Sequence, residues 1–164
     1  KAKDVKEEFG NKIKYILDGG ACAIGIESTI VNLIGRPSIL RLGGLDILKI
    51  QKTLGFKISI SINPKKKIAP GQSRLHYSPG IPLRMNVTKP KNDEAFIIIK
   101  KRKTKHKNYF YLTTKNNLNQ AAKNLYSCLR KIKNQGYRSI AVEKIPNIGL
   151  GKAINDRLYR ASKI

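Results

Sequence analysis

The chain has 164 residues, 40% of them hydrophobic and 27% charged, with 13 Gly and 7 Pro. That is enough for one ordinary domain or two small ones, and unlike a disordered, fibrous or low-complexity chain. Lys and Arg number 34 against 10 Asp and Glu, a formal charge of +24; such a field attracts polyanions, nucleic acids among them.

Of the 34 basic residues 25 are Lys, and the chain is also rich in Ile and Asn, a bias that AT-rich codons would equally produce. No apolar run approaches the roughly 18 residues of a membrane-spanning helix, and no charged-then-apolar leader opens the sequence, so a cytoplasmic protein without a membrane partner is expected. Cys22 and Cys128 stand far apart, without the spacing of a disulfide framework or a zinc site.

Residues 4–9 run into Gly10 as a helix into its C-cap, and the chain reads as though something precedes Lys1. Alternation over 12–17 predicts a strand ending at the turn Asp18-Gly19-Gly20. The β-branched stretch 21–34 predicts a longer strand, and 38–42 a short one. Asp46 as N-cap, the stripe Ile47, Ile50 and Leu54, and Gly55 as the stop predict a helix, with a strand over 56–62 to follow. Residues 63–90 hold Pro64, Pro70, Pro79, Pro82 and Pro90, a density that disfavours regular ladders and reads as a linker.

From residue 91 the pattern becomes β-β-α-β-α. Strands are predicted at 95–100, 109–113 and 139–145. One helix is striped by Leu118, Ala121, Ala122, Leu125, Leu129 and Ile132, and a last one by Leu150, Ala153, Ile154, Leu158 and Ala161. Such alternation predicts a small three-layer α/β domain with a largely parallel sheet. The basic run 100–107 should be a solvated cationic hairpin, with His106 in solvent and Tyr109, Phe110 and Tyr111 alternating into the core.

Glu27-Ser28-Thr29 interrupts an apolar stretch, where a carboxylate and two hydroxyls need partners or a ligand. Hydroxyls there suit carboxylate or phosphate oxygens; a serine nucleophile would need a base, and no His is near in sequence. Arg41 ends a strand ahead of Gly43-Gly44, a place from which a guanidinium reaches phosphate or carboxylate while the glycines let a ligand approach. Arg74, His76 and Tyr77 cluster between prolines in an irregular segment, as ligand-facing side chains do. Gly149-Leu150-Gly151 lacks the third glycine of a dinucleotide fingerprint and reads as a turn. No Walker motif and no metal-ligand cluster is present.

Four segments, in order, carry a family resemblance: D-G-G-A-C-A-I-G-I-E-S-T-I-V (18–31), I-L-R-L-G-G (39–44), A-P-G-Q-S-R-L-H-Y-S-P (69–79) and I-A-V-E-K-I-P-N-I-G-L-G-K-A-I-N-D-R-L-Y-R-A (140–161). Together they resemble the two-domain form of L-threonylcarbamoyladenylate synthase. The resemblance implies an incomplete YrdC-like twisted α/β domain (1–62), a linker covering the cleft (63–90) and a Rossmann-like C-terminal domain (91–164). It also implies a nucleotidyltransferase that condenses threonine, bicarbonate and ATP, with Mg²⁺ accompanying the nucleotide, into threonylcarbamoyl-AMP and pyrophosphate for a tRNA modification.

Carried over by position, Ser28 and Thr29 lie near threonine, Arg41 and Tyr77 contact ATP, and Arg74 and His76 belong to the cleft-covering linker. Two departures are local: Leu42 stands where the family has proline, and Gln72-Ser73-Arg74-Leu75 matches the linker loosely. A third is large, because the family's Lys/Arg-rich phosphate strand and Ser-Ala-Asn motif are not in this sequence. The resemblance therefore implies a partial enzyme that lacks the N-terminal half of its catalytic domain, whether that half is a separate chain from a split gene, was lost as the gene decayed, or belongs to a longer sequence of which this is a piece. The alternative is a non-catalytic remnant that binds double-stranded RNA or tRNA or completes another subunit.

Overall fold

The computed structural model describes residues 1–64, 66–73, 78–103 and 106–163. In chain order the elements are α1 (Ala2–Phe9), β1 (Ile30–Asn32), β2 (Ser38–Arg41), α2 (Ile47–Leu54), β3 (Ser59–Ile60), β4 (Leu83–Arg84), β5 (Ala95–Lys100), β6 (Tyr109–Thr113), α3 (Leu118–Asn134), β7 (Ile140–Val142) and α4 (Leu150–Ala161). They form a mixed α/β fold with two sheets.

The first sheet has the order β1-β2-β3, antiparallel between β1 and β2 and parallel between β2 and β3. Helix α2 makes the crossover between the parallel pair. Its start is fixed by the Asp46 carboxylate, which accepts from the Leu48 N–H at 3.0 Å, and its end by Gly55 in the left-handed region at φ 75°. Its buried Ile47 packs with Ile39 of β2 and with Ile58.

The second sheet, β4-β7-β5-β6, is parallel throughout. Strand β5 is central and apolar on both faces, as parallel strands are. Ile97 and Ile99 face the main core with Ala121, Leu125 and Ile132 of α3 and Ile154 and Leu158 of α4. Phe96 and Ile98 face the opposite side with Ala141, covered by Val87, Tyr109 and Tyr111.

Several segments depart from the pattern that the sequence predicts. Residues 12–17 form no strand: the chain passes through a 3₁₀ turn at Gly10–Lys12, and Tyr15 and Leu17 stand 80% and 97% exposed. Of the stretch 21–34 only β1 is regular, and of 56–62 only β3. Alternation makes a strand only where a neighbour takes its backbone hydrogen bonds, and no described strand lies beside 12–17 or 21–29.

The parallel unit has two layers, not three. Both helices pack on one face, because the β5–β6 connection, which could have carried a helix to the other, has none among its described residues. That connection is no hairpin either, since β5 and β6 run parallel. Tyr109 does pack edge-on against Phe96 at 5.3 Å between centroids, while His106 lies exposed against Tyr109. Inside the proline-rich stretch, β4 pairs with β7; Pro82 precedes it and offers only its carbonyl, which accepts from the Ile140 N–H at 2.9 Å.

Candidate functional site

Residues 27–29 lie against the end of β2 and the turn that follows it. Arg41 donates from Nε to the Ser28 carbonyl at 3.0 Å and from Nη2 to the Ser28 Oγ at 3.1 Å. A hydroxyl that accepts from a guanidinium keeps its own proton for an outside acceptor. Arg41 Nη1 carries no hydrogen bond among the described residues, and Ser28 is exposed. Side by side, Ser28 O–H and the free edge of Arg41 form a two-donor, cationic seat of the kind that holds a carboxylate or a phosphate oxygen.

Thr29 is differently employed. Its Oγ1 donates to the Leu45 carbonyl at 2.7 Å and accepts from the Leu45 N–H at 3.2 Å, so the hydroxyl anchors the turn and does not face outward. Gly43 is not an opening for a ligand: a Cβ there would fall 2.3 Å from Ser28 C and Thr29 N. The space is filled by backbone, and the Gly44 N–H closes the join by donating to the Glu27 carbonyl at 2.8 Å. Arg74, His76 and Tyr77 lie outside the described residues. The segment before them is fastened by Gln72, which is 4% exposed: its Oε1 accepts from the Ile68 and Ala69 N–H groups and its Nε2 donates to the Leu40 and Ser61 carbonyls.

Behind the seat sits a buried ionic cluster that sequence reading missed. Arg157 Nε donates to Glu27 Oε2 at 3.0 Å, Nη2 to the Leu42 carbonyl at 2.8 Å and Nη1 to Asp156 Oδ2 at 2.7 Å. Arg160 Nε shares Asp156 at 3.2 Å, Nη1 reaches the Ser73 carbonyl at 2.9 Å, and Nη2 reaches the Ile62 carbonyl and Asn63 Oδ1. The side chains of Arg157, Arg160 and Asp156 are 1%, 3% and 6% exposed and that of Glu27 32%. Two buried cations thus meet two carboxylates, with the Tyr126 hydroxyl also donating to Glu27. A signal did exist: Arg157 falls on the apolar stripe of α4, three after Ile154 and four before Ala161, and Glu27 stands in an apolar run.

Other polar features are structural. Glu94, buried before β5, accepts from Arg84 at 2.9 and 2.7 Å and from the Lys91 N–H; the Arg84 guanidinium holds its carboxyl below the ordinary range. Arg102 of the basic run pairs with Glu143. The thiol of Cys128 is pushed up to about 12 by burial, and both cysteines are free. The segment Gly149–Gly151 is not a free turn: Gly149 is the N-cap of α4 and Leu150 and Gly151 already belong to the helix, whose start is packed so closely that a Cβ at Gly151 would fall 1.9 Å from the Pro146 carbonyl oxygen. Among the described residues no group of three or more His, Cys, Asp or Glu could hold a metal ion, and no helix is long and apolar enough to cross a membrane.

Comparison with known proteins adds a second line of observation. A family model described as "Threonylcarbamoyl-AMP synthase, C-terminal domain" matches residues 44–163, and one described as "Telomere recombination" matches residues 1–43. The threonylcarbamoyl-AMP synthase of Schizosaccharomyces pombe is 30% identical over 99% of this chain and 48% of its own length; that of Pyrococcus abyssi is 32% identical over 98% and 53%. Among solved structures, that of P. abyssi Sua5 complexed with L-threonine superposes with a TM-score of 0.83 at 30% identity, covering 98% of this chain and 53% of that one. The chain spans about half the length of the curated relatives it matches.

Proposed function

The chain belongs to the threonylcarbamoyl-AMP synthase family, and from that premise we propose that it is the C-terminal portion of a synthase working in tRNA modification in the cytoplasm. In that reaction the threonine amine takes up bicarbonate as a carbamate with loss of water, and a carbamate oxygen attacks the α-phosphorus of ATP, expelling pyrophosphate. Transfer of this kind needs positioning and neutralisation of phosphate charge; it needs no covalent nucleophile. The seat formed by Ser28 and Arg41 offers those two things, and it is the observation that carries the reading.

In this assignment Ser28 donates to the threonine carboxylate, and Arg41 holds a nucleotide phosphate with its free edge. Thr29 sets the turn that carries Arg41 onward. Tyr77 contacts the nucleotide and Arg74 and His76 belong to the covering linker, by the family resemblance alone. Mg²⁺ would arrive on the phosphates of ATP, and no step is assigned to it. The remaining part of the site would come from the half of the family's length that this sequence does not span. Exposed apolar side chains concentrated in residues 1–62, among them Leu17, Leu33, Ile34 and Phe56, fit a surface that such a segment covers.

The test is pyrophosphate release dependent on both threonine and bicarbonate, for this chain alone and for the chain co-expressed with the segment encoded immediately upstream. Activity in the mixture, reduced roughly a hundredfold by Arg41→Ala on the scale of one lost transition-state donor, supports the reading. Silence in both defeats it. The +24 charge then favours a second reading, a non-catalytic RNA-binding or subunit-completing module. RNA affinity that falls steeply with salt and shows no sequence preference would reduce its RNA-binding form to general electrostatics.

A further inference from the structure

We propose that Arg157 and Arg160 of α4 are positioning residues for the substrate cleft: Arg157 sets the Glu27–Thr29 segment and the turn after Arg41, and Arg160 sets the chain between Ile62 and Ser73. The inference rests on the reading above, in which Ser28 and Arg41 meet substrate. It gives the C-terminal domain a role in substrate binding without any contact to substrate.

Adjacency in the chain carries the argument. Arg157 grips Glu27, one residue before Ser28, and the carbonyl of Leu42, one residue after Arg41. Neither half of the two-donor seat can shift without pulling on the same guanidinium. Arg160 grips three points of another segment, at Ile62, Asn63 and Ser73, and none of the seat. Asp156 ties both guanidiniums to one carboxylate. Because Arg157, Arg160 and Asp156 are buried, separating either guanidinium from its carboxylate would leave a buried charge without its partner, while Glu27 reaches the group from its more exposed side.

The residue type matters as well. A guanidinium presents donors in a fixed planar fork, and Arg157 uses three of its nitrogens on three different segments; an ammonium offers one atom and cannot bridge them. Displacements near 1 Å in a seat of this kind are enough to cost large factors in binding or rate. Leu42, in the place of the family's proline, is the residue whose carbonyl Arg157 holds, so the turn is fixed from outside and not by its own ring.

A packing role and a positioning role differ in what they spread to. If the arginines only held α4 in place, replacing either would loosen the same surroundings. Positioning predicts a split, which amide hydrogen exchange read residue by residue on the full chain detects. In Arg157→Lys, exchange at Gly44 and Leu45, whose N–H groups bond Glu27 and Thr29, rises at least tenfold while Ile68 and Ala69, bonded to Gln72, change little. In Arg160→Lys the pattern reverses. Glu27→Gln reproduces the Arg157→Lys pattern more weakly. A uniform rise at all four amides, or no rise in either variant, overturns the proposal.

The catalytic readout is the threonine KM of the chain assayed with its upstream segment. Arg157→Lys raises it about tenfold with a smaller change in kcat, and Arg160→Lys does not; equal effects of the two variants on threonine KM count against the proposal. If the unmodified pair releases no threonine-dependent pyrophosphate, the functional reading fails, while the exchange pattern still decides whether the two arginines hold the two segments.

Discussion

In the parallel sheet and its helices, Phe96, Ile97, Leu112, Leu125 and Ile154 are fully buried, whereas among the described residues the three-stranded sheet buries only Ile39, Ile47 and Ile58 in its own cluster. Large exposed apolar side chains show the same division: among the described residues most lie between Val5 and Ile68, with Ile148 and Tyr159 the exceptions beyond. One region carries its own core. The other takes its geometry from its neighbour through Ile26, which packs into the larger core, through Gly25, where a Cβ would fall 2.4 Å from Lys123 Cα, and through the arginines of α4. A region short of apolar burial can still be held in one conformation when buried polar groups fix its backbone carbonyls, because every alternative leaves a buried charge without a partner.

The largest effect should come from breaking that cluster at its shared carboxylate. Asp156→Asn keeps the shape and removes the charge that faces both buried arginines. A loss of about 3–5 kcal/mol is expected, read as a fall in the urea midpoint. That is a large share of the roughly 5–15 kcal/mol available to a domain. The dependence should be one-way: native-state exchange rises first in residues 27–45 and 61–73, and last in α3 and β5. A variant as stable as the parent would show the two regions to be independent.

Gly43→Ala strikes the smaller region alone. The new methyl would overlap the backbone of Ser28 and Thr29, so the join between the 27–29 segment and the turn must open. Overpacking of this order costs about 1–3 kcal/mol, and it should abolish threonine-dependent activity while leaving the exchange protection of Leu125 and Ile154 intact.

How far the sequence disclosed these features follows from how local each one is. Helix α2 was legible to the residue, because Asp46, the apolar stripe and Gly55 act within one short segment. The stripe of α3 and the apolar run of β5 were legible for the same reason. Strands over 12–17 and 21–29 were misread because alternation is a local signal, whereas a strand needs a partner elsewhere. The two-layer arrangement turns on a missing crossover helix, which no periodicity reports. At the site, Ser28 and Arg41 stood out by residue type and family pattern, and the structure brings them into contact. The pairing of Glu27 with Arg157 did not, since its members lie 130 residues apart and only topology joins them.

A smaller effect, confined to the self-sufficient region, comes from Glu94. Its carboxyl is held below the ordinary value of 4.5, chiefly by Arg84, so protonation favours the unfolded chain. The stabilisation is therefore complete above about pH 4.5 and is lost as the pH falls below it. Glu94→Gln should cost about 1–2 kcal/mol at neutral pH, the scale of hydrogen bonds to a charged group reduced by solvent screening at the half-exposed Arg84. It should also flatten the acid limb of the stability curve. An acid limb unchanged in the variant would place the titrating carboxylate elsewhere.

Thiol labelling perturbs the molecule least and compares the two regions directly. Cys22 is exposed in the smaller region, and Cys128 lies on α3 with its thiol pushed up to about 12 by burial. At about pH 8 Cys128 stays protonated and is half-buried, so a thiol reagent should modify Cys22 first in the native chain and Cys128 much more slowly, at a rate that rises as α3 opens. In Asp156→Asn the rate at Cys128 then reports whether loosening crosses from the smaller region into the larger. An unchanged rate, with the urea midpoint lowered, confirms that the larger region supports the smaller and not the reverse. A rate that rises in step with exchange at Gly44 would mean that the ionic cluster holds α4 against α3 as much as it holds the cleft, and the division between the regions would have to be redrawn around that helix.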